Sequence, residues 1–261
     1  MANEIIQKQE SFSVSLTNTL MESKDALPKD LNVTRFVTNA VALLNGNEML
    51  AKFAKSNGTG QIKAGLLRGA VLGLDALSKE YYLIPYSNKL EFIVDYRGAV
   101  KLVKKYSIRP IQDIYAKVVR QGDEFEIGTT DGVQHFDHKE LPFNDGALVG
   151  VYAVCVFKDG GVLIDTMSKA EIENSRKQSK AANSPAWTKF YGEMAKKTVL
   201  HRLCKTIQID FENPMQREEF DEDVAIEKTE FKGNIPNPFD ADEPEAMAVE
   251  AEVIENATVG E

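Results

Sequence analysis

Apolar residues recur at helical spacing in some stretches of the chain and alternate in others, and the two periods mark out its elements. From Asp30 on, Val33, Phe36, Val37, Ala40, Val41 and Leu44 repeat with the helical period and stop at Asn45-Gly46. Glu48 to Lys55 reads as a short helix, and Ile62 to Leu74 as another, closed by Gly73. Tyr81 to Tyr86 and Leu90 to Val94 are strand-like runs around Ser87-Asn88-Lys89, a hairpin by length and composition. A helix follows from Tyr96 to Tyr106, with Val100 and Val103 facing in, and Pro110 stops it. Ile111 to Arg120 and Phe125 to Ile127 predict a second hairpin around Gly122-Asp123. After an irregular stretch over 129–146, Leu148 to Phe157 is the most strand-like run in the chain, turning at Lys158-Asp159-Gly160-Gly161 into Val162-Leu163-Ile164. Ser168 with Glu171 has the spacing of a capping box that opens a helix to about Lys177.

The stretch from Ser184 to Asp210 organises the rest. Ser184-Pro185 fits a helix start, and one long helix is expected from there. Val199, Leu200, Leu203, Cys204 and Ile207 share one arc of it, while Lys197, His201 and Lys205 stack at i, i+4, i+8 on the other side, with Thr198 and Arg202 beside them. Lys196 breaks the pattern by falling within the apolar arc. A solvated face mixes signs for i,i+4 pairing; this one has Glu193 as its one acid before Asp210. Such a face wants an anion.

Residues 1–29 are polar and weakly patterned and read as a flexible segment, a loosely held helix and a linker ending at Leu27-Pro28. Past Asn213-Pro214 one short helix, Met215 to Asp223, precedes an acidic stretch poor in aromatics, with Pro236, Pro238 and Pro244. This divides the chain into an N-terminal segment, a core over 30–210 and a largely disordered acidic tail over 211–261. Charge sharpens the division. The net −9 of the whole chain resolves into −13 over 211–261 and +4 over the rest. Residues 97–120 carry seven Lys/Arg against one acid, and 167–205 carry nine against three. Both windows fall on predicted helices, so the charges are aligned.

No apolar run approaches a membrane span, the first residues lack a signal-peptide pattern, and Cys155 and Cys204 sit in apolar patterns as expected of buried thiols in a reduced compartment. Gly58-Thr59-Gly60 lacks the spacing of a phosphate loop. His135-Phe136-Asp137-His138 has metal-like residue types without the spacing of a zinc motif, in what reads as a loop. No catalytic residue, metal site or cofactor is assigned. Nucleic-acid binding fits better: Arg176, Lys177 and Lys180 precede Trp187, Phe190 and Tyr191, and Tyr81, Tyr82, Tyr86 and Tyr96 crowd the hairpin beside Arg97. Cations mixed with rings are the physics of single-strand binding without sequence preference. Trp187 either stacks on bases or packs in the core. Lys196 is either a contact on a groove floor between helix and sheet or a stem at the core edge.

Leu72-Gly73-Leu74-Asp75, Lys79-Glu80-Tyr81-Tyr82-Leu83-Ile84-Pro85-Tyr86, Tyr96-Arg97-Gly98, Gly122-Asp123-Glu124-Phe125, Val151-Tyr152-Ala153-Val154, Lys158-Asp159-Gly160-Gly161, Ser179-Lys180, Ser184-Pro185-Ala186-Trp187 and Met194-Ala195-Lys196-Lys197-Thr198 follow in order over roughly residues 30–210. Together they resemble the RecT family of phage single-strand annealing proteins. Ala76, where a proline is common, His201, where arginine is frequent, and the segment around His135 depart from the family's pattern. The resemblance implies an α+β fold, a small antiparallel sheet crossed by a long basic helix with further helices at the N-terminal side. It implies ATP-independent binding of single-stranded DNA and annealing of complementary strands in phage-type recombination. Its expected partners are the annealed duplex, copies of the same chain in a ring or helical filament, a 5′-to-3′ exonuclease and the host single-strand-binding protein, in the cytoplasm of a bacterial host. The family's binding role carries over to Lys79, Arg97, Lys196, Lys197, Arg202 and Lys205, and the basic windows add Lys101, Lys104, Lys105, Arg176, Lys180, Trp187 and His201. A passive strand-binding module would carry the same charges, and a nuclease would need acids in the folded body.

Overall fold

The computed structural model describes residues 2–179 and 181–226. Its elements run α1 (Ala2–Glu22), α2 (Val33–Gly46), α3 (Glu48–Asn57), α4 (Gly60–Leu72), β1 (Tyr81–Tyr86), β2 (Lys89–Val94), α5 (Tyr96–Tyr106), β3 (Ile111–Arg120), β4 (Glu124–Thr130), β5 (Val133–Lys139), β6 (Leu148–Phe157), β7 (Val162–Ser168), α6 (Lys169–Gln178), α7 (Pro185–Lys189), α8 (Tyr191–Thr206) and α9 (Pro214–Ile226). The fold is α+β: β3, β6 and β7 form an antiparallel sheet in the order β3-β6-β7, while β1-β2 and β4-β5 are separate hairpins.

β6 is the centre of the sheet. Its Val151, Ala153, Cys155 and Phe157 enter the main core under the helices, while Tyr152 and Val154 point the other way into a smaller cluster with Val119 and Ile164. The β4–β5 hairpin covers that second face with Phe125 and Phe136. A strand buried on both sides reads as an unbroken apolar run, as VYAVCVF does. Cys155 and Cys204 are both free and buried, and burial pushes their thiols up to about 11 and about 12.

The expected hairpin between 111–120 and 125–127 does not form. β3 pairs with β6, from Ile111↔Phe157 to Arg120↔Leu148, and β4 pairs with β5. The ten-residue β3 finds in the ten-residue β6 a partner of matching length. β5 occupies part of the stretch expected to be irregular, and the turn Asp131-Gly132, both residues at positive φ, closes the hairpin as a two-residue type I′ turn does.

The N-terminal segment is also more than a flexible lead. Phe12, Leu16 and Leu20, spaced i, i+4, i+8 on α1, are buried, the last two completely, and Lys63 donates to the Ser15 hydroxyl at 2.8 Å. At the other end the folded body continues past 210. On α9 the Gln216 amide is fully buried and donates to the Val71 carbonyl at 3.0 Å and the Tyr106 hydroxyl at 3.2 Å, and Arg68 pairs with Glu219. The remainder of the expected acidic tail, 227–261, lies outside the described residues.

The long basic helix is split. α7 ends at Lys189, Phe190 with a φ of −121° and a ψ of 41° breaks the helical path, and α8 restarts at Tyr191. α8 lies across the sheet with Ala195, Val199 and Leu203 wholly buried, and Gly192 brings its first turn close to Val118 of β3.

Candidate nucleic-acid interface

The two basic windows meet where the N-terminus of α5 lies against α8. Asp95 caps α5, its carboxylate accepting from the Arg97 amide at 3.1 Å. Gly98 lets this turn sit tightly on the residue that leads into β1, because a Cβ there would run into the Glu80 carbonyl. The Tyr96 ring then takes a cation from each helix: the Arg97 guanidinium and the Lys197 ammonium both stand 5.4 Å from its centroid, within the range of cation–π attraction. His201 and Lys205 continue from Lys197 along α8, both half-buried. Beneath them Asp95 is 1% exposed, and its second carboxylate oxygen has no hydrogen-bond partner. Burial pushes this carboxyl above its ordinary value, opposed by the Arg97 amide and by the positive charges of Lys197, Arg97 and His201.

The other expected contacts divide by what already holds them. Lys101 donates to Glu80 at 2.7 Å and to the Gly73 carbonyl at 2.8 Å, tying α5 to the end of α4. Lys104 faces Asp113 at 3.5 Å and Lys105 faces Asp30 at 2.7 Å. Arg176 donates to the Ala182 carbonyl at 2.8 Å and faces Glu173 at 3.6 Å, which places it in the support of the link to α7. The fork of Arg202 is taken by both oxygens of Asp165 at 2.6 Å and by the Thr166 carbonyl, so it pins α8 to β7. Trp187, for which the sequence leaves stacking and packing both open, is 3% exposed and edge-on to Tyr191 with centroids 5.9 Å apart, packed in the core. Lys79 is half-buried at a φ of 56° in the turn before β1. Lys180 lies outside the described residues.

Lys196 is 31% exposed on α8. It pairs with Glu193 at 2.6 Å and lines a groove of about 370 Å³ along β3, with Ala116, Lys117, Val118 and Arg120 on one wall and Leu141, Phe143 and Asn144 on the other. Sequence reasoning missed this wall. It belongs to the loop after β5, held by Asp123, which accepts from the amides of Arg120 (2.8 Å) and Leu141 (3.1 Å) and from the Asn144 side chain (2.8 Å). These donors hold the Asp123 carboxyl well below the usual carboxylate range. His138, expected in a loop, lies on β5 with its ring buried between Asp123 (3.4 Å) and the Tyr152 hydroxyl (3.0 Å). The missed signal was the Asp131-Gly132 pair, which fixes the hairpin and thereby the position of His138. Among the described residues no cluster of His, Cys, Asp and Glu is arranged to hold a metal ion, and no helix is long and apolar enough to cross a membrane.

The sequence carries the same relationship that these elements suggest. Protein RecT of Escherichia coli (strain K12) is 35% identical to the chain over 158 residues, 57% of this chain and 55% of that protein, so the match spans little more than half of the relative's length. The RecT family model matches residues 34–231, from the start of α2 to beyond α9. The chain belongs to the RecT family.

Proposed function

We propose that the chain binds single-stranded DNA along the seam of α5 and α8 and anneals complementary strands without nucleotide hydrolysis, as one protomer of an oligomer on the strand. The observation that carries this reading is the Tyr96 ring flanked by Arg97 and Lys197, with His201 and Lys205 continuing the line. Phosphates are neutralised by a row of cations, and extended strands are held with their bases available. Pairing and stacking then drive the reaction at about 1.4 kcal/mol per base-pair step, so no further energy source is required.

On this reading the seam holds both the single strand and the annealed duplex, and the chain acts as a binding protein rather than an enzyme in phage-type recombination within a bacterial host cell. Assembly into a ring or filament follows from the length of DNA against the ~4–16 nucleotides a single binding unit covers. The acidic residues 227–261 are the proposed arm for a 5′-to-3′ exonuclease and the host single-strand-binding protein.

Two measurements test this. Dye-labelled complementary oligonucleotides, mixed with the protein without nucleotide, should pair faster than alone; a passive strand binder would retain them without accelerating pairing. In Lys197→Ala the slope of log affinity against log salt should fall in magnitude by about 0.7, one phosphate contact, and in Lys177→Ala, on the exposed side of α6, it should not change. Equal slopes in the two variants would remove the seam from the binding site.

A further inference from the structure

Phe143 is fully exposed, at 101% of its reference area, and sits at a φ of 56°, a region that side chains with a Cβ avoid. An aromatic residue in such a place is held there by its loop. Asn144 donates to the Gln121 carbonyl at 3.1 Å and to Asp123, and accepts from the Gly146 amide at 2.8 Å. Arg120 donates to the Gly146 carbonyl at 2.8 Å, and Gly146 itself has no room for a side chain, since a Cβ would stand 2.6 Å from the Gln121 carbonyl. The ring is therefore presented on a braced loop, at the rim of the groove that Lys196 lines.

The charges of that groove decide what it suits. Lys117, Arg120 and Lys196 are matched by Asp123, Glu140 and Glu193, with Lys117 paired to Glu140 and Lys196 to Glu193. A balanced groove offers a phosphate no net field, whereas an uncharged planar ring needs none. The space of about 370 Å³ is at the small end of ligand-sized sites. A second protein would need roughly 800 Å² of complementary surface, and the large exposed apolar side chains in this groove are Phe143 and Leu141. Of the rings that the sequence offers for stacking, Trp187 and Tyr81 are buried, and Phe190, 53% exposed, does not line this groove.

We propose that Phe143 is a stacking platform for one nucleobase of the bound strand, which turns into the groove between β3 and α8 while its phosphates follow the α5–α8 seam. This rests on the strand-binding reading above and specifies how the strand is oriented within it. A base held once per protomer would interrupt the stacking of the strand at regular intervals and keep it from folding on itself.

The test uses the full chain, oligo-dT and an abasic sugar–phosphate oligomer of the same length. Alanine at Phe143 should weaken oligo-dT binding by about 5- to 100-fold, the loss of one stacked base, with an unchanged salt slope and an unchanged melting temperature. Binding of the abasic oligomer should be the same in both proteins. In Phe143→Trp affinity should be retained, and oligo-dT should quench the introduced indole, which is separable from the buried Trp187 by its red-shifted emission. Intact oligo-dT binding with no quenching and no loss in Phe143→Ala overturns the stacking assignment alone. Loss of DNA-free self-association in Phe143→Ala, at unaltered strand affinity, overturns it in favour of a contact between copies. Wild-type protein that fails to bind oligo-dT at all overturns both this and the strand-binding reading.

Discussion

Arginine and lysine on the polar side of α8 do different work, and their neighbours decide which. Lys197 reaches over the Tyr96 ring, while Arg202 is gripped by Asp165 in a two-pronged pair. Arg202→Ala should lower stability by roughly 1 kcal/mol, discounted for an arginine side chain 39% exposed to solvent, and leave the salt dependence of strand binding unchanged. Denaturant unfolding beside a salt titration checks both; a slope change would return Arg202 to the interface. Asp123 offers a residue-scale test in pH. A carboxyl held below its ordinary value stabilises the native state fully above the unfolded value near 4, and that contribution is lost as pH falls through the lower native value. Asp123→Asn should therefore be less stable than wild type at pH 7, and the gap should narrow from about pH 4 downward. A gap that stays constant in acid melts would show that the loop is not held by the charged carboxylate.

At the scale of elements, Gly98 sets two effects against each other. Helix propensity alone makes Gly98→Ala stabilising by about 1 kcal/mol, but the new Cβ meets the Glu80 carbonyl, a backbone atom that cannot swing away. Overpacking of this kind costs about 1–3 kcal/mol, so the variant should melt lower, and a higher melting temperature would mean that α5 is not seated against Glu80. The start of α5 is also where the sequence was most legible. The periodicity of Tyr96 to Tyr106, the capping box at Ser168, the apolar run of β6 and the line Lys197-His201-Lys205 all reflect local rules, and each stands where those rules put it. The break at Phe190 was not legible, because Ser184-Pro185 announces a helix start and nothing local announces the second start six residues on. Nor was the partner of β3. Gly122-Asp123 has the composition of a hairpin turn, but β3 finds its partner in the distant β6, whose ten residues match its own. The commitments of Lys101, Lys104 and Lys105 were hidden for the same reason: Glu80, Asp113 and Asp30 are brought to them by the fold.

For the whole molecule, the folded body is wider than the periodic middle of the sequence. Leu16 and Leu20 make α1 part of the core, so Leu16→Ala should cost about 2–5 kcal/mol, as for other fully buried leucines. A chain ended after Ile226 should keep the wild-type melting temperature, while one ended after Asp210 should lose several degrees with the Gln216 and Glu219 contacts. If the two truncations melt alike, α9 is not part of the body. The pairing of β3 with β6 also bears on how the chain is made. β3 ends at Arg120 and its partner begins at Leu148, with a complete hairpin of its own between them. On a ribosome adding about 5–20 residues per second, β3 emerges and waits for seconds with Ile114 and Val119 uncovered, while β4 and β5 close locally beside it. β3 gains its partner only when β6 leaves the exit tunnel, β7 then completes the sheet, and α8 can seat only after that. Nascent chains stalled with β5 outside the exit tunnel and β6 still within it should therefore protect the amides of β4 and β5 from exchange while those of β3 remain open, and this interval is when a chaperone would find its binding site.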